Sequence, residues 1–164
     1  MLGANVNQGV QASSGKVYRF GSSGWEKEYR KRVDDAITIL FGGGVRRIYW
    51  VGRPIMPDST CDRQMRLVND IYSREAKKHS GVQYVDAYRV FSGSGGYSQY
   101  FRDAHGEMQQ VRDGDGEHLT YAGGARLAEV VMAATKAEWL GKKKASAGSA
   151  APSPKASAKA TPAP

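Results

Sequence analysis

One cysteine, Cys61, stands in a chain of 164 residues, so no internal disulfide framework can exist. It lies among charged residues at an expected helix start, with no Cys or His at ligand spacing, and reads as an incidental thiol. Histidine is also scarce: His79, His105 and His118 are the full set, and their spacing supports no metal site. No cofactor motif is found either. Gly42-Gly43-Gly44 precedes an expected strand, whereas phosphate-cradling loops follow one, so it reads as a connector. No stretch approaches the ~20 apolar residues of a membrane span. The N-terminus has neither the charged region nor the apolar run of a signal peptide.

Acidic residues are missing from one region in particular. Gly141 to Pro164 holds five lysines and no Asp or Glu, so of the net charge of +8 the other 140 residues carry only +3. That Lys/Ala/Pro-rich segment has no apolar periodicity and is expected to be a disordered tail over 141–164. A basic tail of this kind solubilises, or binds an anionic polymer.

The remaining residues, 1–140, have the length of one domain. Ser23 and Glu26 have capping-box spacing, and Trp25, Tyr29, Val33, Ile37 and Leu40 follow at helical intervals, predicting a helix to about Leu40. Val45 to Val51 is rich in β-branched and aromatic residues and predicts a strand, closed by Gly52-Arg53-Pro54. A second helix is expected over Ser59 to Ser80, with Met65, Val68, Tyr72 and Ala76 on one face and Gly81 as terminator. Val82 to Asp86 predicts another strand. Tyr88 to Gly114, rich in Gly, Ser and Tyr, reads as a long loop, either one that covers substrate or a mobile surface excursion. A last helix is expected from Thr120 to about Leu140, with Leu127, Val130, Val131 and Ala134 inward. The alternation indicates an α/β fold with a parallel sheet. Two strands are fewer than such a sheet needs.

Chemistry concentrates in Asp115-Gly116-Glu117-His118. An Asp three residues before a His, on a turn entering a helix, can hold one imidazole nitrogen and leave the other free to take a proton from a nucleophile. The pair reads as the base half of a hydrolytic triad. At the other end stands Gly3-Ala4-Asn5. Taken alone, Asn5 is a turn residue and His118 a surface histidine; the ordered set gives them meaning.

With these two blocks in order, and with Trp25, Tyr29, Arg32-Val33, Trp50-Val51-Gly52-Arg53-Pro54-Ile55-Met56 and Tyr84-Val85-Asp86 between them, the chain resembles the SGNH hydrolases. The likeness is to a bacterial branch of largely uncharacterised, envelope-associated proteins, over roughly residues 1–137. Gly3-Ala4-Asn5 matches the family's Gly-x-Asn block and Asp115 to His118 its Asp-x-x-His block. The resemblance implies a three-layer α/β/α, flavodoxin-like fold with a parallel sheet, here missing its first strands. It implies Asn5 as an oxyanion donor, His118 as general base and then acid, and Asp115 as its orienting partner.

The family's Gly-Asp-Ser block has no counterpart, and Gly21-Ser22-Ser23-Gly24 is explained by helix capping. The chain is therefore expected to be the C-terminal portion of such a domain, without its nucleophile. Its substrates would be acyl or acetyl esters, among them acylated envelope polysaccharide. The resemblance implies an extracytoplasmic setting, although no export signal is seen. Val6 replaces the Asp that usually follows the Asn, and Glu117 fills a slot usually apolar. Both motivate a second expectation, a non-catalytic binding or scaffolding remnant. A third is a polyanion binder acting through the tail. An incomplete sheet further predicts self-association or a partner in the form of the missing N-terminal fragment.

Overall fold

The structure, a computed structural model, describes residues 7–148. The chain divides into two compact units, one ending at Val131 and the other beginning at Met132.

The first unit opens with a short antiparallel hairpin, β1 (Val10–Gln11) and β2 (Val17–Tyr18), which leads into α1 (Ser23–Gly42). The N-cap of α1 is Ser22 rather than Ser23. Its extended backbone lets Oγ accept the Trp25 N–H at 3.2 Å, while its carbonyl accepts from Glu26. Both serines precede the same helical run, so spacing alone cannot choose between them; the backbone angles do. Trp25, Val33 and Ile37 are buried, and Leu40, expected inward, is exposed. Trp25 also donates its indole N–H to the Gln8 carbonyl at 2.9 Å, fastening the segment before β1 to the helix, and stacks on Tyr29 of the same helix.

A βαβ unit follows. Strand β3 (Ile48–Val51) and strand β4 (Val82–Val85) pair in parallel, Ile48 against Val82 through Val51 against Val85, with α2 (Ser59–Lys77) as the crossover. Strand β3 begins three residues later than expected. Asp58 caps α2 through the Thr60 and Cys61 N–H groups. Met65, Val68, Tyr72 and Ala76 are all buried, as their spacing predicted. Helix α2 ends at Lys77, so Gly81 is not its terminator. Gly81 is instead where backbone meets the Phe41 ring: a Cβ there would stand 2.6 Å from Phe41 Cζ. Helices α1 and α2 pack together, with the Tyr29 and Tyr72 hydroxyls 2.8 Å apart. Their inner faces and Ile48 form the larger hydrophobic core.

The segment expected as one long loop is structured. One turn of helix, α3 (Ala87–Val90), leads into two antiparallel hairpins, β5 (Ser92–Gly93) with β6 (Gly96–Tyr97) and β7 (Tyr100–Arg102) with β8 (Met108–Gln110). Short strands bounded by Gly and Ser escape detection because two or three residues show no period. A second core of Ile55, Phe91 and Val111, with Tyr97, Phe101, Leu119 and Leu127 packed on it, underlies this region.

Helix α4 (Tyr121–Gly148) starts in the first unit and continues into the second. Leu127 joins the second core, whereas Val130, expected inward, is exposed. The helix runs eight residues past the expected end at Leu140, into the segment expected to be disordered; 149–164 lie outside the described residues. In the second unit Met132, Trp139 and Leu140 are more than half exposed. The chain thus mixes helices with short strands as an α/β protein, and its parallel sheet among the described residues is the pair β3–β4. No described helix is long and apolar enough to cross a membrane.

Candidate functional site

Strand β8 hands the chain to a tight turn that ends where α4 begins. Asp113 donates its N–H to the His118 carbonyl at 2.8 Å, and Gly116 donates to the Asp113 carbonyl at 2.9 Å. Arg112 and Leu119 bridge antiparallel at the base of this loop. The result is a closed turn carrying Asp115, Gly116, Glu117 and His118 at its tip.

Within the tip the aspartate organises everything. Asp115 Oδ1 accepts the backbone N–H groups of Glu117 and His118 at 2.8 and 3.0 Å. Its other oxygen, Oδ2, lies 2.5 Å from His118 Nδ1. An Asp that accepts the amides two and three residues ahead is a favoured local motif. Here it also aims the second carboxylate oxygen at the ring. The two backbone N–H groups and the imidazole together hold the Asp115 carboxyl at about 2. The His118 imidazole is pushed above its usual value, mainly by its bond to Asp115, with smaller contributions from the Glu117 and Asp113 charges. An ionised Asp115 can only accept, so neutral His118 carries its proton on Nδ1 and leaves Nε2 as a free base.

Both side chains face water, His118 being 76% exposed. Among the described residues no hydroxyl hydrogen-bonds to Nε2.

The turn rests on buried supports. Arg112 is fully buried; its Nη1 donates to the Glu117 carbonyl at 2.8 Å and its Nη2 to the Ile55 carbonyl at 2.7 Å. Its guanidinium lies 4.9 Å from the Phe91 ring centre and 5.9 Å from that of Tyr97. Tyr97 donates its hydroxyl to the Gly116 carbonyl at 3.0 Å. Gly116 has φ +72, and a Cβ there would stand 2.9 Å from the Tyr97 oxygen and 3.0 Å from Pro57 Cγ. Only glycine suits that angle and that approach together.

Ile55 and Pro57 belong to the loop leaving the C-terminal end of β3. Asn69 in α2 fixes its start, accepting from the Arg53 N–H at 2.6 Å and donating to the Arg53 carbonyl at 2.8 Å. Asp62 fixes its middle by accepting the Met56 N–H. The Asp115–His118 turn therefore sits against the loop beyond the carboxyl end of a parallel strand, the usual place for ligands in open α/β sheets.

Asn5, the expected oxyanion donor, and Val6 beside it lie outside the described residues. The other two histidines take separate partners. His79, in the turn after α2, has its Nε2 2.7 Å from Asp34 Oδ1 of α1, and His105 belongs to the β7–β8 turn, where its N–H bonds to Asp103. No group of three or more His, Cys, Asp or Glu among the described residues could hold a metal. Arg112, Tyr97 and Asn69 carry no sequence signal of their roles, since Arg and Asn in Gly-rich or amphipathic stretches read as exposed.

The model of the DUF459 family, described as proteins of unknown function, matches residues 1–134, so the chain belongs to that family. No curated protein matches the chain.

Proposed function

We propose that this chain carries the base half of an SGNH-type serine ester hydrolase, within a three-layer flavodoxin-like fold. The carrying observation is the Asp115–His118 pair, ordered by two backbone N–H groups and held against the loop after β3. In this reading His118 Nε2 takes the proton of a serine hydroxyl as its oxygen attacks the ester carbonyl. It then returns that proton to the departing alkoxide. Asp115 keeps Nδ1–H in place and stabilises the imidazolium between the two steps. Asn5 donates its amide to the oxyanion, a contribution of about 10²–10³ in turnover. Substrates would be acyl or acetyl esters, including those on envelope polysaccharide.

No serine of this sequence stands in a Gly-Asp-Ser context. The nucleophile in this reading comes from outside the 164 residues. Fluorophosphonate labelling tests that directly. The chain alone should stay unlabelled, and a version extended upstream in its reading frame should label at one serine. Stoichiometric labelling of the 164-residue chain would overturn the external nucleophile. An extended version that carries Gly-Asp-Ser and still fails to label would overturn the hydrolase.

The exposure of His118 and the charge of Glu117 beside it support a second reading, a binding remnant that keeps the cleft without chemistry. In that case the upstream frame contains no Gly-Asp-Ser.

A further inference from the structure

Arg112 is the feature of this region that neither the sequence motif nor the proposed chemistry uses. Its side chain is fully buried, and no carboxylate forms an ion pair with it among the described residues. The Asp115 charge acts on it only from beyond ion-pair distance, and burying a guanidinium without a paired counter-ion is among the costlier things a fold can do. A core position that needed only volume would be filled by Leu or Met. The partners it has are specific. Two prongs of the planar fork reach two backbone carbonyls that are 62 residues apart in sequence, Ile55 and Glu117. The faces of Phe91 and Tyr97 flank the cation. Glu117 is the residue immediately before His118, and Ile55 lies in the loop after β3. Tyr97, which flanks the fork, clamps Gly116 in the same turn.

We propose that Arg112 is a positioning residue: its fork ties the Asp115–His118 turn to the loop beyond β3 and thereby holds the imidazole in register with its aspartate. A Lys cannot reproduce this, because a single ammonium on a flexible stem does not present two donors in a fixed plane. The role rests on the base-dyad reading for its purpose, but its effect on His118 exists with or without catalysis. The charged groups facing His118 are Asp115, Glu117 and Asp113, and all three ride on the turn that Arg112 fastens. A loosened turn weakens the short Asp115 contact first, since that contact depends most on geometry.

The test is made on the full chain in the absence of any substrate, so it stands or falls separately from the hydrolase reading. Histidine titration by NMR and amide hydrogen exchange are followed in Arg112→Met, Arg112→Lys and Tyr97→Phe. The pKa of His118 is expected to fall towards the ordinary histidine value in both Arg112 variants. Exchange at the Asp113, Gly116 and Thr120 amides should quicken by about tenfold or more, as for the loss of a charge-assisted hydrogen bond. Amides of β3, β4 and α2 should keep their protection. Tyr97→Phe, which spares the buried charge and removes one clamp, should give the same pattern more weakly. It decides the matter if the Arg112 variants fail to fold. A folded variant in which stability drops while His118 titration and turn exchange stay as in the parent would overturn the proposal, leaving Arg112 a structural side chain only.

Discussion

At the scale of single residues, the Asp115–His118 pair sets two opposite pH dependences. The Asp115 carboxyl is held down, so its contribution to stability is complete above the ordinary carboxylate range and fades as pH falls towards about 2. The His118 imidazole is held up, so its contribution is complete below the unfolded value near 6.5 and fades as pH rises through the higher folded value. The pair therefore stabilises the turn most between about pH 4 and 6.5, where both groups are charged. A general base needs the neutral ring, so its availability grows where that stabilisation declines. Removing the negative charge should separate these effects. In Asp115→Asn the His118 pKa should drop towards 6.5, with a small residue of elevation from Glu117 and Asp113, as measured by NMR titration of the ring protons. An unchanged pKa would show that Asp115 is not what raises it. The pair was legible from the sequence because its geometry is local: three residues of spacing and one turn suffice. Arg112 was not legible, because its partners come from Ile55 and Glu117 and nothing near Val111-Arg112-Asp113 marks that position as buried.

At the scale of elements, amphipathic helices announced themselves and short strands did not. The inner face of α2 was written in Met65, Val68, Tyr72 and Ala76, four positions on one stripe, and all four are buried. Helix ends were less legible, since Ser22 and Ser23 offer the same cap one residue apart. Their roles can be separated by substitution. Ser22→Ala should cost about 1 kcal/mol, seen as a lower urea midpoint with an unchanged slope, and Ser23→Ala only a few tenths. Equal effects at the two positions would contradict the assignment. The hairpins β5–β6 and β7–β8 escaped notice because pairing of two or three residues rests on turns and on packing over Phe91 and Val111, not on a repeated pattern. Those hairpins matter to the site, since β6 delivers Tyr97 to the turn.

At the scale of the whole molecule, the alternation of helix and strand gave the α/β character and the parallel pairing of β3 with β4, but not how many strands the sheet contains. The chain belongs, over residues 1–134, to a family of proteins of unknown function; the ester hydrolysis proposed for the dyad is a separate matter, open to test. The proposal that His118, oriented by Asp115, is the general base of an ester hydrolase can be measured directly. The measurement is kcat/KM for an activated acetyl ester against pH, in an upstream-extended version that carries a Gly-Asp-Ser serine, with and without His118→Gln. An acid limb with its midpoint above 6.5 is expected, with a loss of about 10²–10⁴ in the variant. An activity that survives His118→Gln, or an acid limb unmoved by Asp115→Asn, would contradict it.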